Sequence, residues 1–95
     1  MRRSPGRPFR IYPYAVSKQK LENAIRDARA PAEITNFLQE ADIVLTVKGQ
    51  YRKMPKRLRE AEARGLPIQV VRSNTQAQFH AFIESLRTRM TDDLW

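Results

Sequence analysis

Residues 42–47, Asp-Ile-Val-Leu-Thr-Val, hold a core that is continuously apolar or β-branched, with no polar alternation. A strand of that kind has two faces to bury, which places it inside a parallel sheet covered on both sides. Gly49 breaks the run, Pro55 suits the first turn of a helix with Leu58 and Ala61 on its apolar face, and Gly65 ends that helix. After Pro67, Ile68-Gln69-Val70-Val71 reads as a second buried strand. Strand, helix and strand within about thirty residues form the right-handed crossover unit of a parallel sheet.

The flanking sequence extends the alternation. Phe9-Arg10-Ile11-Tyr12 alternates apolar and polar before Pro13, as a short strand does. Ser17 is an N-cap, and Leu21, Ala24, Ile25 and Ala28 mark one helical face, which Pro31 stops. Residues 32–36 are a weak strand candidate and 37–41 a single turn. Thr75 and Gln78 have capping-box spacing, and Phe79, Phe82, Ile83, Leu86 and Met90 form the stripe of a last helix. The predicted fold is α/β: a small open parallel sheet of about four strands in the order 2-1-3-4, Rossmann-like, with helices on both faces. Residues 1–8 read as a basic lead, 9–90 as a single domain and 91–95 as a frayed tail.

Ninety-five residues leave room for one core and little volume for an enclosed cavity. With no cysteine and one histidine, disulfides, thiol catalysis, zinc-thiolate sites and His-rich metal sites are excluded, and neither a metal nor a cofactor is expected. No apolar run reaches the roughly 18 residues of a membrane helix, and the basic start lacks the apolar stretch of a signal peptide. A cytoplasmic, membrane-free protein is the expectation.

The net charge of +8 is unevenly spread. Residues 48–72 carry eight bases against Glu60 and Glu62, a balance of +6, and residues 1–20 carry six bases and no acid. Parallel crossovers gather the strand C-terminal ends on one edge, where open α/β sheets bind ligands. That edge unites Tyr12-Pro13-Tyr14, the run from Lys48 to Lys53, and Arg72-Ser73-Asn74-Thr75. Lys48, Arg52, Lys53, Lys56 and Arg57 crowd a helix start, where free N–H groups attract anions and cations are locally unfavourable. A chain that keeps cations there points to an external anion; the competing reading is a solvated basic face kept for solubility. Arg72, Ser73 and Asn74 are the matching phosphate ligands from the next strand end, or simple capping residues. Tyr14 and Tyr51 are candidates for stacking on bases; Tyr12 serves equally as strand filler. His80 reads as a partly exposed helix residue rather than a ligand or base. No carboxylate pair is placed for acid–base work, and neither the GxxxxGK[ST] nor the GxGxxG nucleotide loop is present.

YPYAVS at 12–17, the run from Ala41 to Thr75 and the helix behind them together resemble a small α/β segment of plastid and cyanobacterial-type AAA+ ATPases, related to the stage III AA sporulation ATPase. In that family an R-three-H (Arg-x-x-x-His) single-stranded nucleic-acid-binding domain often follows. The resemblance covers about residues 9–88 and implies a module for nucleic-acid handling, excised from a larger protein or standing alone; it supplies no catalytic residues. Residues and resemblance together predict a non-catalytic module for single-stranded DNA or RNA, with the cations on phosphates and Tyr14 and Tyr51 on bases. The alternative is an assembly module docking the same basic face on an ATPase domain or another subunit. A small enzyme or phospholigand binder ranks third, for want of a nucleophile paired with a base.

Overall fold

A computed structural model describes residues 8–92, with side chains as far as Thr88. The expected basic lead, with Arg2, Arg3 and Arg7, the end of the expected tail from Asp93, and the side chain of Met90 lie outside the described residues. The elements are β1 (Phe9–Tyr14), α1 (Lys18–Ala28), β2 (Ala32–Ile34), a 3-10 turn (Leu38–Glu40), β3 (Ile43–Val47), α2 (Lys48–Lys53), α3 (Lys56–Ala63), β4 (Ile68–Val71) and α4 (Gln76–Asp92). The four strands are parallel in the order β2-β1-β3-β4, so the expected α/β class and strand order hold.

The sheet sorts its side chains by the two-residue period of a strand. Ile11, Ile43, Leu45 and Val71 meet Leu21 and Ala24 of α1 and Phe79, Phe82, Ile83 and Leu86 of α4 on one face. Val44 meets Leu38, Leu58 and Ala61 on the other, with Tyr12, Tyr14, Tyr51, Leu66 and Ile68 packed around them. Both faces of β3 are therefore buried, as its unbroken apolar run requires. Thr46, fully buried, donates its hydroxyl to the Tyr14 carbonyl at 3.0 Å, so the polar group costs little.

Helix ends follow their local chemistry. The Ser17 hydroxyl accepts from the Lys20 N–H and caps α1. α1 closes before Pro31, with Arg29 in the left-handed region at φ 52° and Arg29 and Ala30 N–H groups returning to the Arg26 and Ile25 carbonyls. Gly65 does the same for α3 at φ 77°, its N–H and that of Leu66 reaching Glu62 and Ala61. Of the capping-box pair, Thr75 accepts from the Gln78 N–H, whereas the Gln78 side chain turns to the Arg72 N–H at 3.2 Å.

Two local readings change. β1 runs two residues past Tyr12, through Pro13 to Tyr14, because its pairing with β3 continues to Tyr14 opposite Thr46. The segment after β3, read as a loop, is the six-residue helix α2. It carries a Gly and three cations but anchors through Tyr51, which packs on the second core.

Candidate functional site

In the order 2-1-3-4 the chain leaves β1 toward one side of the sheet and β3 toward the other. The carboxyl ends of β1 and β3 therefore flank the point where the strand order reverses, the place where such sheets open a crevice. Three things converge on it: the end of β1 at Tyr14, the start of α1 at Ser17, and the α2–α3 junction that follows β3.

A depression of about 420 Å³ there is lined by Tyr14, Lys56 and Arg57. Tyr14 comes from the end of β1, Lys56 and Arg57 from the first turn of α3. No side chain caps α3: its N-cap is Pro55, and its first turn holds no acid. The Leu58 N–H returns to the Pro55 carbonyl at 3.0 Å, so the N–H groups of Lys56 and Arg57 and the positive end of the helix dipole are what is left for a ligand. Arg57 is half exposed and its guanidinium lies 4.0 Å from Glu60, a loose contact that leaves most of its donors free.

The backbone on either side is strained. Ala15, next to Tyr14, has φ 58°, and Met54, two residues before Lys56, has φ 44°. Left-handed geometry costs a residue with a Cβ about 1 kcal/mol or more, and such strain collects at ligand sites. Met54 also serves as the C-cap of α2, which accounts for its geometry; Ala15 ends no helix.

The remaining cations of this edge lie outside the depression. Lys48, Arg52 and Lys53 are exposed on α2, and Arg72 is exposed just after β4. Among the described residues none of the four makes an ion pair. Lys18 and Lys20 donate to neutral oxygens, the Asn36 side chain at 2.8 Å and the Asn74 carbonyl at 3.0 Å.

Other expected site residues are occupied by the fold. The Asn74 side chain accepts from the Ser17 N–H at 2.8 Å and ties the start of α1 to the β4–α4 turn. Ser73 and Thr75 face each other at 3.3 Å, and Thr75, rather than Asn74, caps α4. Tyr14 and Tyr51 are half-buried against the second core, so only part of each ring is open to a ligand. His80 lies 3.1 Å from Asp27, pairing α4 with α1 away from the crevice. Among the described residues no three His, Asp or Glu side chains are grouped to hold a metal ion, and no helix is long and apolar enough to cross a membrane.

Sequence reasoning found the cations but missed the depression, the strain at Ala15 and the Asn74 tie. Only the tie had a signal: Asn beside Ser and Thr at a strand end marks a turn held by side chains.

Comparison with curated proteins and with solved structures found no match. A family model for phosphotyrosine protein phosphatase matches residues 9–87. The match overturns the resemblance to an AAA+ ATPase segment with its R-three-H neighbour. It also overturns the non-catalytic nucleic-acid module and the assembly-module alternative, because both were built on that resemblance and on charge, which does not distinguish one polyanion or phosphate ester from another. The expectation of no enzymatic role falls with them, since the matching family is one of enzymes. From the first residue of β1 to the last turns of α4, this chain belongs to the phosphotyrosine protein phosphatase family.

Proposed function

We propose that the chain acts on phosphate monoesters of the phosphotyrosine type, with the phosphoryl group seated in the depression between Tyr14, Lys56 and Arg57. The observation that carries this reading is two cations and an uncapped helix start beside an aromatic ring, at the reversal point of the sheet, in a chain of this family. Arg57 offers a planar fork to two phosphate oxygens, Lys56 a compact charge, and the first turn of α3 its N–H groups. Tyr14 packs against the aryl ring.

The 95 residues include no cysteine. No thiolate of this chain takes up the phosphoryl group, and among the described residues no carboxylate lines the depression. The hydrolysis these residues support is direct attack by water: a bond from the water oxygen to phosphorus forms as the ester P–O bond breaks, and the tyrosine phenolate that leaves takes up the proton the water gives up. Phosphoryl transfer passes through a loose transition state whose charge sits on the equatorial oxygens, so positioning and electrostatics supply most of the catalysis. Lys56 and Arg57 are the groups for that charge.

The test measures binding of phosphotyrosine and release of phosphate from it by the wild type, Lys56→Gln and Arg57→Gln. Each substitution is expected to weaken binding about tenfold, the worth of one charge-assisted contact, and to bring phosphate release toward background. Wild-type protein that neither binds nor hydrolyses phosphotyrosine contradicts the proposal, as do variants indistinguishable from it.

A further inference from the structure

We infer that the preferred substrate is phosphotyrosine within an acidic peptide, the acidic side chains flanking it resting on the cations of α2 and of the β4 end. The inference rests on the phosphotyrosine reading above and concerns what surrounds the phosphoryl group.

A phosphate monoester brings at most two negative charges, and Lys56 and Arg57 match them. The same edge carries four more exposed cations, Lys48, Arg52, Lys53 and Arg72, with no ion pair among the described residues. The ion pairs of the described residues all leave these four out: Glu33 and Glu40 pair with Arg10, Glu60 with Arg57, Asp27 with His80 and Glu84 with Arg87. α2 also has no acid in its first turn and ends on Arg52 and Lys53. Other cations without an ion pair are scattered singly, Arg26, Arg29, Arg59 and Arg64 among the described residues, whereas α2 places three within six residues beside the depression, where like charges repel unless an anion joins them.

Dimensions favour a peptide over a small anion. The depression admits one phosphorylated side chain. α2, six residues long, spans about 9 Å at 1.5 Å per residue. An extended peptide advances about 3.3 Å per residue, so about three residues on one side of the phosphotyrosine lie over α2. Acidic residues at those positions meet Lys48, Arg52 and Lys53; neutral ones leave the cations unneutralised.

The experiment titrates free phosphotyrosine and three peptides of equal length. One has phosphotyrosine among Asp and Glu, one has phosphotyrosine among Ser and Gly, and one is the acidic peptide without phosphate. Wild type is compared with the triple variant Lys48→Gln, Arg52→Gln, Lys53→Gln, whose fold is checked by circular dichroism. At about 50 mM salt the acidic phosphopeptide is expected to bind about tenfold more tightly than the neutral one, the size of a few exposed charge pairs. At about 0.5 M salt, where screening acts within a few ångström, the preference is expected to vanish. The triple variant is expected to lose the preference while keeping its affinity for free phosphotyrosine. Equal binding of both phosphopeptides by wild type, with free phosphotyrosine still bound, overturns this inference and leaves the underlying reading intact. Binding of the unphosphorylated acidic peptide as tightly as its phosphorylated form overturns it by making the edge a general polyanion surface. Failure of free phosphotyrosine and of both phosphopeptides to bind overturns the underlying reading itself.

Discussion

The two edges of the sheet treat charge in opposite ways. At the amino edge, Arg10 is enclosed by acids: its side chain reaches Glu33 at 3.1 Å and Glu40 at 3.3 Å, and its backbone N–H donates to the Asp42 carboxylate at 2.8 Å. Asp42 returns its own N–H to the Arg10 carbonyl at 2.8 Å, so one residue pair clamps β1 to the start of β3. At the carboxyl edge the cations outnumber their partners, and among the described residues Glu60 is the one carboxylate that an ion pair brings to them there. The chain holds ten acids and is not short of them. Three of them, Glu33, Glu40 and Asp42, gather around Arg10 on the edge that has structural work, and none of those three serves the ligand edge. Charge that the fold has already neutralised speaks to stability; charge left open speaks to function.

The contrast is broken first by exchanging the effects of substitutions at the two edges. Reversing both cations of the depression, Lys56→Glu with Arg57→Glu, is expected to lower phosphotyrosine affinity at least a hundredfold, two charge-assisted contacts being lost. Stability in urea is expected to shift little, since both side chains are exposed surface groups. A large loss of stability with intact binding would reverse the roles assigned to the edges.

Asp42→Ala is the opposite case. Removing a partly buried carboxylate that accepts a backbone N–H is expected to cost about 2 kcal/mol in chemical denaturation, with ligand affinity unchanged. Arg10→Ala is smaller, about 1 kcal/mol, because its side chain is 31% exposed and its two ion pairs are partly screened.

A pH titration sharpens the comparison from the ligand's side. The second ionisation of a phosphate monoester lies near pH 6. Affinity is expected to be full above that value and to fall as pH drops through it, as the dianion loses one charge against Lys56 and Arg57. A ligand affinity flat from about pH 7.5 to 5 would show that the dianion is not what the edge reads. The smallest effect is expected of Ala15→Gly. Glycine adopts φ 58° without the Cβ penalty but loses more chain entropy on folding, so the net is a gain of about 0.5 kcal/mol rather than the usual loss. A loss near 1 kcal/mol would mean that Ala15 is not strained.

The fold was legible where periodicity and punctuation agree. The apolar runs at Ile43–Val47 and Ile68–Val71, the Ser17 cap, and Gly65 with Pro67 between helix and strand mark the parallel alternation; the strand order was a choice among those such an alternation allows, and the structure has the one chosen. α2 was not legible, because Lys48–Lys53 has no apolar period and is held by the single anchor Tyr51. The clamp between Arg10 and Asp42 joins residues 32 apart, a distance at which sequence pattern carries no pairing information. At the site, cations near helix starts pointed to the carboxyl edge as one that attracts anions. They did not separate Lys56 and Arg57 in the depression from Lys48, Arg52 and Lys53 beside it, since that division depends on how α2 and α3 meet. Nor did charge distinguish a phosphotyrosine from a nucleic-acid backbone, for both present phosphate oxygens to the same side chains.

The central claim is that the ligand edge is the carboxyl edge, at the depression beside Tyr14. A backbone amide NMR titration with phosphotyrosine tests it most directly, since it maps binding residue by residue. The predicted result is a saturable set of shifts at Tyr14, Ala15, Lys56 and Arg57 that is absent with unphosphorylated tyrosine. Shifts centred on Arg10, Glu33 and Glu40, or no saturable shifts at all, would contradict it.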